Sequence, residues 1–324
     1  MKVLITGGAG FIGSHLAERF VKDGEQVTVI DDLSTGSIKN IQHLEGDKNF
    51  NIVVDTVLNA PTLESLIKKC DIIYHMAAAV GVKLIVNEPV KTITTNIRGT
   101  EIVLNSASKW RKKVVLASTS EIYGKNISSS FKEEDDMVFG PTTKSRWSYA
   151  CSKAIDEFLG LAYFREKKLP VIILRLFNIV GPRQTGRYGM VVPTFIKQAL
   201  KEEAITVYGD GNQTRSFTYI SDLIDLIVKL PDIKEAYGNV FNVGGEEEIS
   251  MLELAKLVKS ITRSSSEIAF IPYDQAYEKG FEDMMKRVPD ITKIRSVIGF
   301  KQSVDIKNII EKIVEYFRQE DHIE

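Results

Sequence analysis

The chain contains few of the residues that build metal sites and disulfide frameworks. Its 324 residues include two cysteines, Cys70 and Cys151, and four histidines. Two cysteines cannot form a network of disulfides, which fits a reducing cytoplasmic location. The histidines show no metal-ligand spacing along the sequence, so we expect no metal site.

An excess of charge of either sign is also missing, as are long hydrophobic runs. The formal net charge is −1, which gives no electrostatic reason to expect binding to nucleic acid. The most apolar stretch, residues 169–182, contains Arg175 and Asn178 and is too short to span a bilayer. With 44% hydrophobic residues, the chain can bury a full core, so we expect a soluble protein without a membrane partner.

A glycine-rich turn lies near the start of the chain, between a β-branched run and a helical pattern. The run is residues 2–6, and the apolar residues of 14–21 recur at helical spacing. In a dinucleotide-binding turn, Gly7 allows the bend, Gly10 the approach of the pyrophosphate, and Gly13 the packing of helix on strand. The spacing is G-x-x-G-x-x-G rather than G-x-G-x-x-G, and by itself it is also compatible with a loop that binds nothing.

A second predicted strand ends in two carboxylates about 20 residues further on, which is the spacing of dinucleotide-binding folds. These residues are Asp31 and Asp32. An acidic side chain at this place binds a ribose 2′-hydroxyl, and its charge repels a 2′-phosphate. Asp31 therefore favours NAD over NADP; the alternative is a solvated strand end.

Tyr149 and Lys153 form a Y-x-x-x-K pair in a predicted helix. Residues four apart share one helical face, so the lysine ammonium can favour the tyrosine phenolate. A phenol with an unperturbed pKa of about 10 is a poor base at neutral pH and needs this help. The pattern is common by chance, but after a dinucleotide-binding turn and beyond Ser118-Thr119-Ser120-Glu121 it predicts a hydride-transferring site.

Predicted strands and helices alternate through most of the chain. The predicted strands are residues 2–6, 27–31, 51–55, 71–76, 113–118, 171–177 and 239–243. This alternation predicts an α/β fold with a Rossmann-type, doubly wound parallel sheet of about seven strands. We expect a dinucleotide-binding domain over 1–180, to which strand 239–243 returns, and a smaller interleaved substrate-binding lobe over 181–324.

Taken together, these motifs resemble the extended short-chain dehydrogenases that act on nucleotide sugars, which comprise epimerases, 4,6-dehydratases and uronate decarboxylases. The resemblance covers essentially the whole chain. It also rests on the segments 31–36, 75–78, 95–100, 118–124, 175–178, 181–183 and 215–219. Met76 stands where the family usually has leucine, which is an apolar exchange without functional consequence.

The resemblance implies that NAD is the cofactor and that the lobe over 181–324 binds a UDP-sugar. In the family, Asp55 would contact the adenine, and Ala77 and Ala78 would line the pyrophosphate path. Lys153 would also bind the nicotinamide ribose. The implied cofactor-binding residues are Gly7, Gly10, Phe11, Ile12, Gly13, Asp31, Asp32, Ser34, Asp55, Thr56, Ala77, Ala78, Asn96, Ser118, Tyr149 and Lys153.

The resemblance also implies catalytic and substrate-binding residues. Thr119 or Ser118 would hydrogen-bond the sugar hydroxyl that Tyr149 deprotonates, while Asn178 and Arg215 would hold the nucleotide diphosphate. The implied catalytic residues are Tyr149, Lys153, Thr119, Ser120 and Glu121. The implied substrate-binding residues are Arg146, Asn178, Val191, Tyr208, Gln213, Arg215 and Arg287.

The subfamilies share oxidation of the sugar at C4 and differ in the fate of the resulting ketose. An epimerase returns the hydride to the other face, a dehydratase removes water across C5 and C6, and a decarboxylase loses a C6 carboxylate. Glu121 points away from a plain epimerase, although mannose-type dehydratases share Ser-Thr-Ser-Glu. Arg146 lies one helical turn before Tyr149, where its guanidinium can bind a carboxylate.

Residues 277–283 and 286–291 resemble the C-terminal region of bacterial UDP-glucuronate decarboxylases, in which an arginine at the position of Arg287 enters the active site. The alternative for Arg146 and Arg287 is an ordinary surface ion pair. We therefore expect a UDP-hexuronate decarboxylase, acting on UDP-glucuronate or UDP-N-acetylglucosaminuronate. A UDP-sugar 4-epimerase or 4,6-dehydratase is the alternative, and a non-catalytic nucleotide sensor is a more distant one.

The helical patterns over 95–111 and 149–167 bear on assembly. In the family, the corresponding helices pair across a two-fold axis and form a four-helix bundle. The resemblance therefore implies a homodimer. The alternative is a monomer in which both helices only cover the sheet.

Overall fold

The first half of the chain alternates strands and helices. The computed structural model describes residues 1–81, 87–186, 189–272, 284 and 286–319. The strands are β1 (Lys2–Thr6), β2 (Gln26–Asp31), β3 (Phe50–Val54), β4 (Ile72–His75), β5 (Lys113–Thr119) and β6 (Val171–Leu176). The helices are α1 (Phe11–Lys22), α2 (Ala60–Lys69), α3 (Pro89–Lys109) and α4 (Arg146–Lys167), and a 3-10 turn covers Ser120–Tyr123.

Shorter elements follow β6. The strands are β7 (Ile179–Val180), β8 (Ile205–Tyr208), β9 (Thr214–Ser216), β10 (Thr218–Tyr219), β11 (Val240–Val243), β12 (Glu248–Ser250), β13 (Ile268–Ile271) and β14 (Lys286–Arg287). The helices are α5 (Val191–Leu200), α6 (Ile220–Lys229), α7 (Met251–Thr262), α8 (Thr292–Ile298) and α9 (Ile306–Gln319).

A parallel sheet of seven strands forms the centre of the molecule, in the order β11-β6-β5-β4-β1-β2-β3. Neighbouring strands are parallel throughout. The predicted doubly wound α/β fold is thus confirmed. The strand order reverses between β1 and β4, and in open α/β sheets ligands bind in the crevice at such a switch point.

The sheet is buried on both faces because its strands are apolar at successive positions. Leu4 and Ile73 lie in a core with Val103 of α3. Their neighbours in sequence, including Ile5, point to the opposite face and pack with Leu16 of α1. Such continuous apolar runs are typical of parallel strands that are covered by helices on both sides.

A second core lies outside the sheet, between α5, α7 and α9, and includes Ile196, Leu254 and Ile310. The helices α6 and α8 instead pack against the sheet, through Leu223 and Ile294. Late segments of the chain therefore complete the first core. The division into residues 1–180 and 181–324 stays a prediction.

A buried ion pair joins the sheet to α4. Nη2 of Arg175, in β6, lies 2.8 Å from Oε2 of Glu157. The Ser118 hydroxyl donates to Oε1 of the same carboxylate at 2.5 Å. Nη1 of Arg175 also donates to the Tyr123 hydroxyl at 2.8 Å. The pair thus fixes the end of β5 and the turn after it.

Within the described part of the chain, no helix is long and apolar enough to cross a membrane.

Glu157→Gln tests the contribution of this ion pair to stability. The substitution leaves the Arg175 charge buried without its counter-ion, so we expect the free energy of unfolding to fall by about 3–5 kcal/mol. Urea denaturation measures it. Glu166→Gln, at an exposed position of the same helix, is the control and should change the free energy of unfolding by no more than about 0.5 kcal/mol. A loss below about 1 kcal/mol for Glu157→Gln would contradict this account.

Candidate active site

A cavity of about 1040 Å³ opens at the carboxyl ends of the sheet strands and extends to α5, β8 and β9. It is lined by the predicted cofactor, catalytic and substrate residues, with the exceptions of Thr56 and Asn96. Residues that are far apart in sequence, such as Gly10, Tyr149 and Arg287, therefore meet in one space.

The glycine turn has no room for side chains. Gly7 has a φ of +69°, and a Cβ there would lie 2.8 Å from the backbone of Ala77. A Cβ on Gly13 would lie 2.1 Å from the carbonyl oxygen of Gly7. Helix α1 begins after Gly10, and no side chain caps its first backbone N–H groups. These N–H groups are donors of the kind that bind a pyrophosphate at a helix N-terminus.

Asp31 lies at the end of β2, next to the glycine turn. Its carboxylate accepts the backbone N–H of Ala9 at 2.9 Å and that of Leu33 at 2.8 Å. Burial raises the pKa of Asp31 above its ordinary value, although these two hydrogen bonds lower it in part. Because a carboxylate oxygen accepts more than one hydrogen bond, Asp31 keeps acceptor capacity for a ribose hydroxyl. The next residue, Asp32, accepts the Ser34 hydroxyl at 2.6 Å.

Asp55 borders the cavity, whereas the side chains of Thr56 and Asn96 do not line it and accept hydrogen bonds from backbone N–H groups. Asp55 accepts the backbone N–H of Thr56 at 2.8 Å. Asn96 is buried, accepts the backbone N–H of Ala79 at 2.8 Å and donates to the Ser152 hydroxyl at 3.1 Å. Asn96 therefore joins α3 to α4 close to Tyr149.

Tyr149 is buried in the first turns of α4. Burial and the charge of Glu121 raise the pKa of its phenol above the ordinary value. A hydrogen bond with the Thr119 hydroxyl lowers the pKa but does not offset them. Lys153 lines the same cavity, but its ammonium donates to Oδ2 of Asp156 at 2.8 Å. In this arrangement, the lysine that was predicted to activate the phenol is bound to an acid.

Glu121 lies between two arginines. Oε1 is 2.6 Å from Nη2 of Arg287, and Oε2 is 3.2 Å from Nη2 of Arg146. Burial alone would raise the pKa of this carboxyl, but Arg146, Arg287 and Arg215 lower it to about 2. Glu121 is therefore an anion at neutral pH, and the site concentrates positive charge around it.

Sequence reasoning missed other residues of the site. Lys91 and Arg183 line the cavity, and no role was predicted for either. Asp156 follows Lys153 by three residues, a helical spacing that indicates contact, but it was overlooked. The resemblance over residues 277–283 lies outside the described residues. No group of three or more metal-binding side chains occurs among those that are described.

Comparison with known proteins places this site in a family. The family model described as GDP-mannose 4,6 dehydratase matches residues 4–313. A UDP-N-acetyl-alpha-D-glucosaminuronate decarboxylase of Bacillus cytotoxicus is 42% identical over 319 residues, which are 98% of each chain. The chain belongs to the extended short-chain dehydrogenase family of nucleotide-sugar enzymes. The family resemblance of the sequence motifs is thus confirmed.

Other family members agree with this assignment. UDP-glucuronic acid decarboxylase 1 of Danio rerio is 36% identical, over 98% of this chain and 73% of its own length. The crystal structure of UDP-glucuronic acid 4-epimerase from Bacillus cereus, in complex with UDP-glucuronic acid and NAD, superposes with a TM-score of 0.88. It is 30% identical and covers 98% of this chain and 99% of its own.

The cofactor preference follows from Asp31. Its carboxylate meets a ribose diol in NAD but a second negative group in NADP, so we expect tighter binding of NAD. Titration of the purified protein with each nucleotide, monitored by quenching of intrinsic fluorescence, measures the two affinities. Asp31→Asn should narrow the difference between the affinities for NAD and NADP, because it weakens NAD binding and removes the repulsion of the NADP 2′-phosphate. Equal affinity of the unaltered protein for NAD and NADP would contradict this role.

Proposed function

We propose that the protein is an NAD-dependent UDP-hexuronate decarboxylase that oxidises C4 of its sugar transiently. The observation that carries the proposal is the convergence of Arg146 and Arg287 on a carboxylate beside Tyr149. An enzyme for a neutral 6-hydroxyl sugar has no need of two arginines there. UDP-glucuronate and UDP-N-acetylglucosaminuronate both carry the carboxylate that these arginines can bind.

The glycine turn, the N-terminus of α1 and Asp31 fit NAD. When bound, NAD would supply the acceptor for the hydride of C4 and the donor for its later return. Tyr149 takes the proton from the 4-hydroxyl, while Thr119 orients that hydroxyl by hydrogen bonding. The product of this step is a 4-ketone, which places the C6 carboxylate β to a carbonyl group. Loss of CO2 from such an acid leaves its electrons on the ketone oxygen.

Arg287 is suited to bind the substrate carboxylate. Its Nε is buried and makes no hydrogen bond to the described residues. A substrate carboxylate that binds Arg287 competes with Glu121 for it. Glu121 then loses a cation and gains an anionic neighbour, and both changes raise its pKa from about 2. In that state Glu121 can hold the proton that C5 needs after CO2 leaves.

A UDP-hexuronate 4-epimerase is the second candidate. The Bacillus cereus neighbour is an epimerase whose substrate carries the same carboxylate. Binding of the carboxylate therefore does not by itself separate the two reactions. A non-catalytic nucleotide sensor is disfavoured, because Tyr149 and Lys153 both line the cavity.

A panel of four UDP-sugars separates these functions: UDP-glucuronate, UDP-N-acetylglucosaminuronate, UDP-glucose and UDP-N-acetylglucosamine. Mass spectrometry of the products should show loss of CO2 from one or both uronates. Loss of water would identify a dehydratase. An unchanged mass, together with inversion at C4 in the NMR spectrum, would identify an epimerase. Tyr149→Phe is the control, which should bind NAD and form no product.

Arg287→Ala tests how the substrate carboxylate is held. Removing the guanidinium leaves the carboxylate unpaired in a closed site, so we expect a loss of about 2–5 kcal/mol, or about 30- to 5000-fold in kcat/KM for decarboxylation. Lys286→Ala is the matched control, because Lys286 is adjacent in β14 and pairs with Glu248 at 2.7 Å. A loss of less than about threefold for Arg287→Ala would contradict the decarboxylase assignment.

Glu121→Gln should have a different effect from Arg287→Ala. The amide cannot deliver the proton to C5, whereas both arginines stay in place to bind the uronate. Substrate binding should therefore survive, and the 4-keto intermediate or NADH should accumulate. Absorbance at the NADH band during a single turnover measures this. Normal turnover without such accumulation would remove Glu121 from the mechanism.

We also propose that the protein is a homodimer and is cytoplasmic. Large apolar side chains are exposed on α3, with Val90 at 77%, and on α4, with Phe158 at 63%. Ile93 and Ile155 are exposed on the same two helices. Such a surface is suited to pair with its own copy across a two-fold axis. Both cysteines are free thiols, which fits a reducing compartment.

Phe158→Glu tests the dimer. A charge on the exposed apolar surface of α4 should convert the dimer into a monomer, and sedimentation velocity measures the mass. Ile127→Glu is the control, because Ile127 is 98% exposed and lies on neither helix. An unaltered protein that sediments as one species near 36.3 kDa would contradict the proposal.

A further inference from the structure

We infer that Asp156 is a positioning residue that holds the Lys153 ammonium away from Tyr149 and thereby sets the pH range in which Tyr149 accepts a proton. The inference rests on the proposed role of Tyr149 as the base. It concerns a residue to which neither the family motifs nor the cavity gives a role.

The contact between Asp156 and Lys153 is fully buried. Both residues lie on α4, three apart, and Nζ of Lys153 donates to Oδ2 of Asp156 at 2.8 Å. The exposed fraction is 3% for the lysine side chain and 0% for the aspartate. Among the described residues, the hydrogen bond of this ammonium goes to Asp156 and not to the Tyr149 hydroxyl. Water does not screen such a pair, so removing the charge of Asp156 would strongly change the electrostatic potential at neighbouring groups.

Hydrogen bonds extend from Asp156 to the nucleotide-binding turn. The pKa of Asp156 lies above its ordinary value, because burial outweighs the effects of Lys153 and of a hydrogen bond from the Thr100 hydroxyl, which both lower it. Oδ1 has no partner of ordinary geometry among the described residues, so the Thr100 bond is long or bent. Oγ1 of Thr100 lies 3.2 Å from Nε2 of His75, and Nδ1 of His75 lies 2.7 Å from Oγ1 of Thr6.

The carboxylate fixes the direction of this chain of hydrogen bonds. A carboxylate only accepts, so Thr100 donates to Asp156 and accepts from Nε2–H of His75. Nδ1 of His75 then accepts from the Thr6 hydroxyl, which itself accepts the backbone N–H of Ala77 at 3.2 Å. The imidazole stays neutral, because burial and Lys153 lower its pKa to about 3. Thr100 of α3, His75 of β4 and Thr6 of β1 thus continue from Asp156 to the glycine turn, while the hydrogen bond of ordinary geometry to Asp156 comes from Lys153.

Charged groups of both signs face Tyr149. Asp156 of α4 and Glu121 of the 3-10 turn raise the pKa of the phenol. Arg287 of β14 lowers it, as does Thr119 of β5 by hydrogen bonding. Lys153 is paired with Asp156 and Arg287 with Glu121. Arg146, one turn before Tyr149 on α4, is also bound to Glu121, so these three cations are each paired with an acid.

This pairing gives Asp156 a specific effect on catalysis. Asp156 offsets the charge of Lys153, and a ribose hydroxyl of the cofactor would compete with Asp156 for the ammonium. The remaining acids near Asp156 act elsewhere, since Glu157 is paired with Arg175. A neutral side chain at 156 would leave the charge of Lys153 uncompensated and favour the phenolate at lower pH.

Asp156→Asn is the decisive variant, because asparagine keeps an oxygen for Lys153 while removing the negative charge. We expect the acidic limb of the pH profile of kcat/KM to move down by about one pH unit. Tyrosinate absorbance is measured in the NAD complex as the difference between Asp156→Asn and a double variant that also carries Tyr149→Phe. The midpoint of this titration should move to lower pH by the same amount. Glu166→Gln, at an exposed position on α4, is the control and should leave the pH profile of kcat/KM and the tyrosinate titration unchanged.

Thr100→Val provides a second variant from a neighbouring helix. It removes a hydroxyl whose hydrogen bond lowers the pKa of Asp156, so Asp156 should ionise less readily. The shift should have the same direction as for Asp156→Asn and be smaller. This variant keeps the inference testable if Asp156→Asn does not fold.

The outcomes distinguish this inference from the proposed function. If both variants lower activity equally at all pH values without moving either titration, Asp156 has only a structural role and the inference is overturned. A shift towards higher pH would overturn it as well. If no UDP-sugar is turned over, the proposed function fails, while the tyrosinate titration of the NAD complex still decides the role of Asp156.

Discussion

The buried ion pair between Arg175 and Glu157 is the interaction on which the site depends. It joins α4 to the ends of β5 and β6, and through Tyr123 it fixes the turn that carries Glu121. The Tyr123 hydroxyl donates in turn to Oδ1 of Asn242 in β11 at 2.7 Å. A strand that arrives late in the sequence therefore supports the catalytic turn. Removing one member of such a network leaves a buried charge or donor without a partner.

The same network extends to the segment that carries Arg287. Asn242 donates to the carbonyl oxygen of Phe131 at 2.8 Å, and the backbone N–H of Phe131 donates to the carbonyl oxygen of Val288 at 2.9 Å. Glu121 and Arg287 are thus positioned from one set of buried polar groups, although 166 residues separate them in sequence. Their geometry follows from the fold rather than from local structure, as preorganised binding of a charged substrate requires.

The sequence predicted the strands and the glycine turn because their signals are local. The bounds of β1 agree with the prediction, and those of the other six strands of the sheet differ by about one residue, since an apolar β-branched run does not show where pairing ends. The pairing of Glu121 with two arginines could not be predicted, because it depends on how β14 docks beside β9. The family resemblance implied that Thr56 and Asn96 bind the cofactor, whereas in the structure their side chains accept backbone N–H groups and do not line the cavity.

The return of β11 to the edge of the sheet has a consequence for folding. Strand β6 pairs with β11, which lies more than 60 residues later in the chain, so the long loop between them must close before the sheet is complete. During synthesis, β6 leaves the ribosome before its partner and presents an unpaired apolar edge in the meantime. A fragment that ends at residue 180 would keep that edge permanently. Residues 1–180 therefore depend on β11 to complete their sheet, and without it the exposed edge of β6 is a site for aggregation.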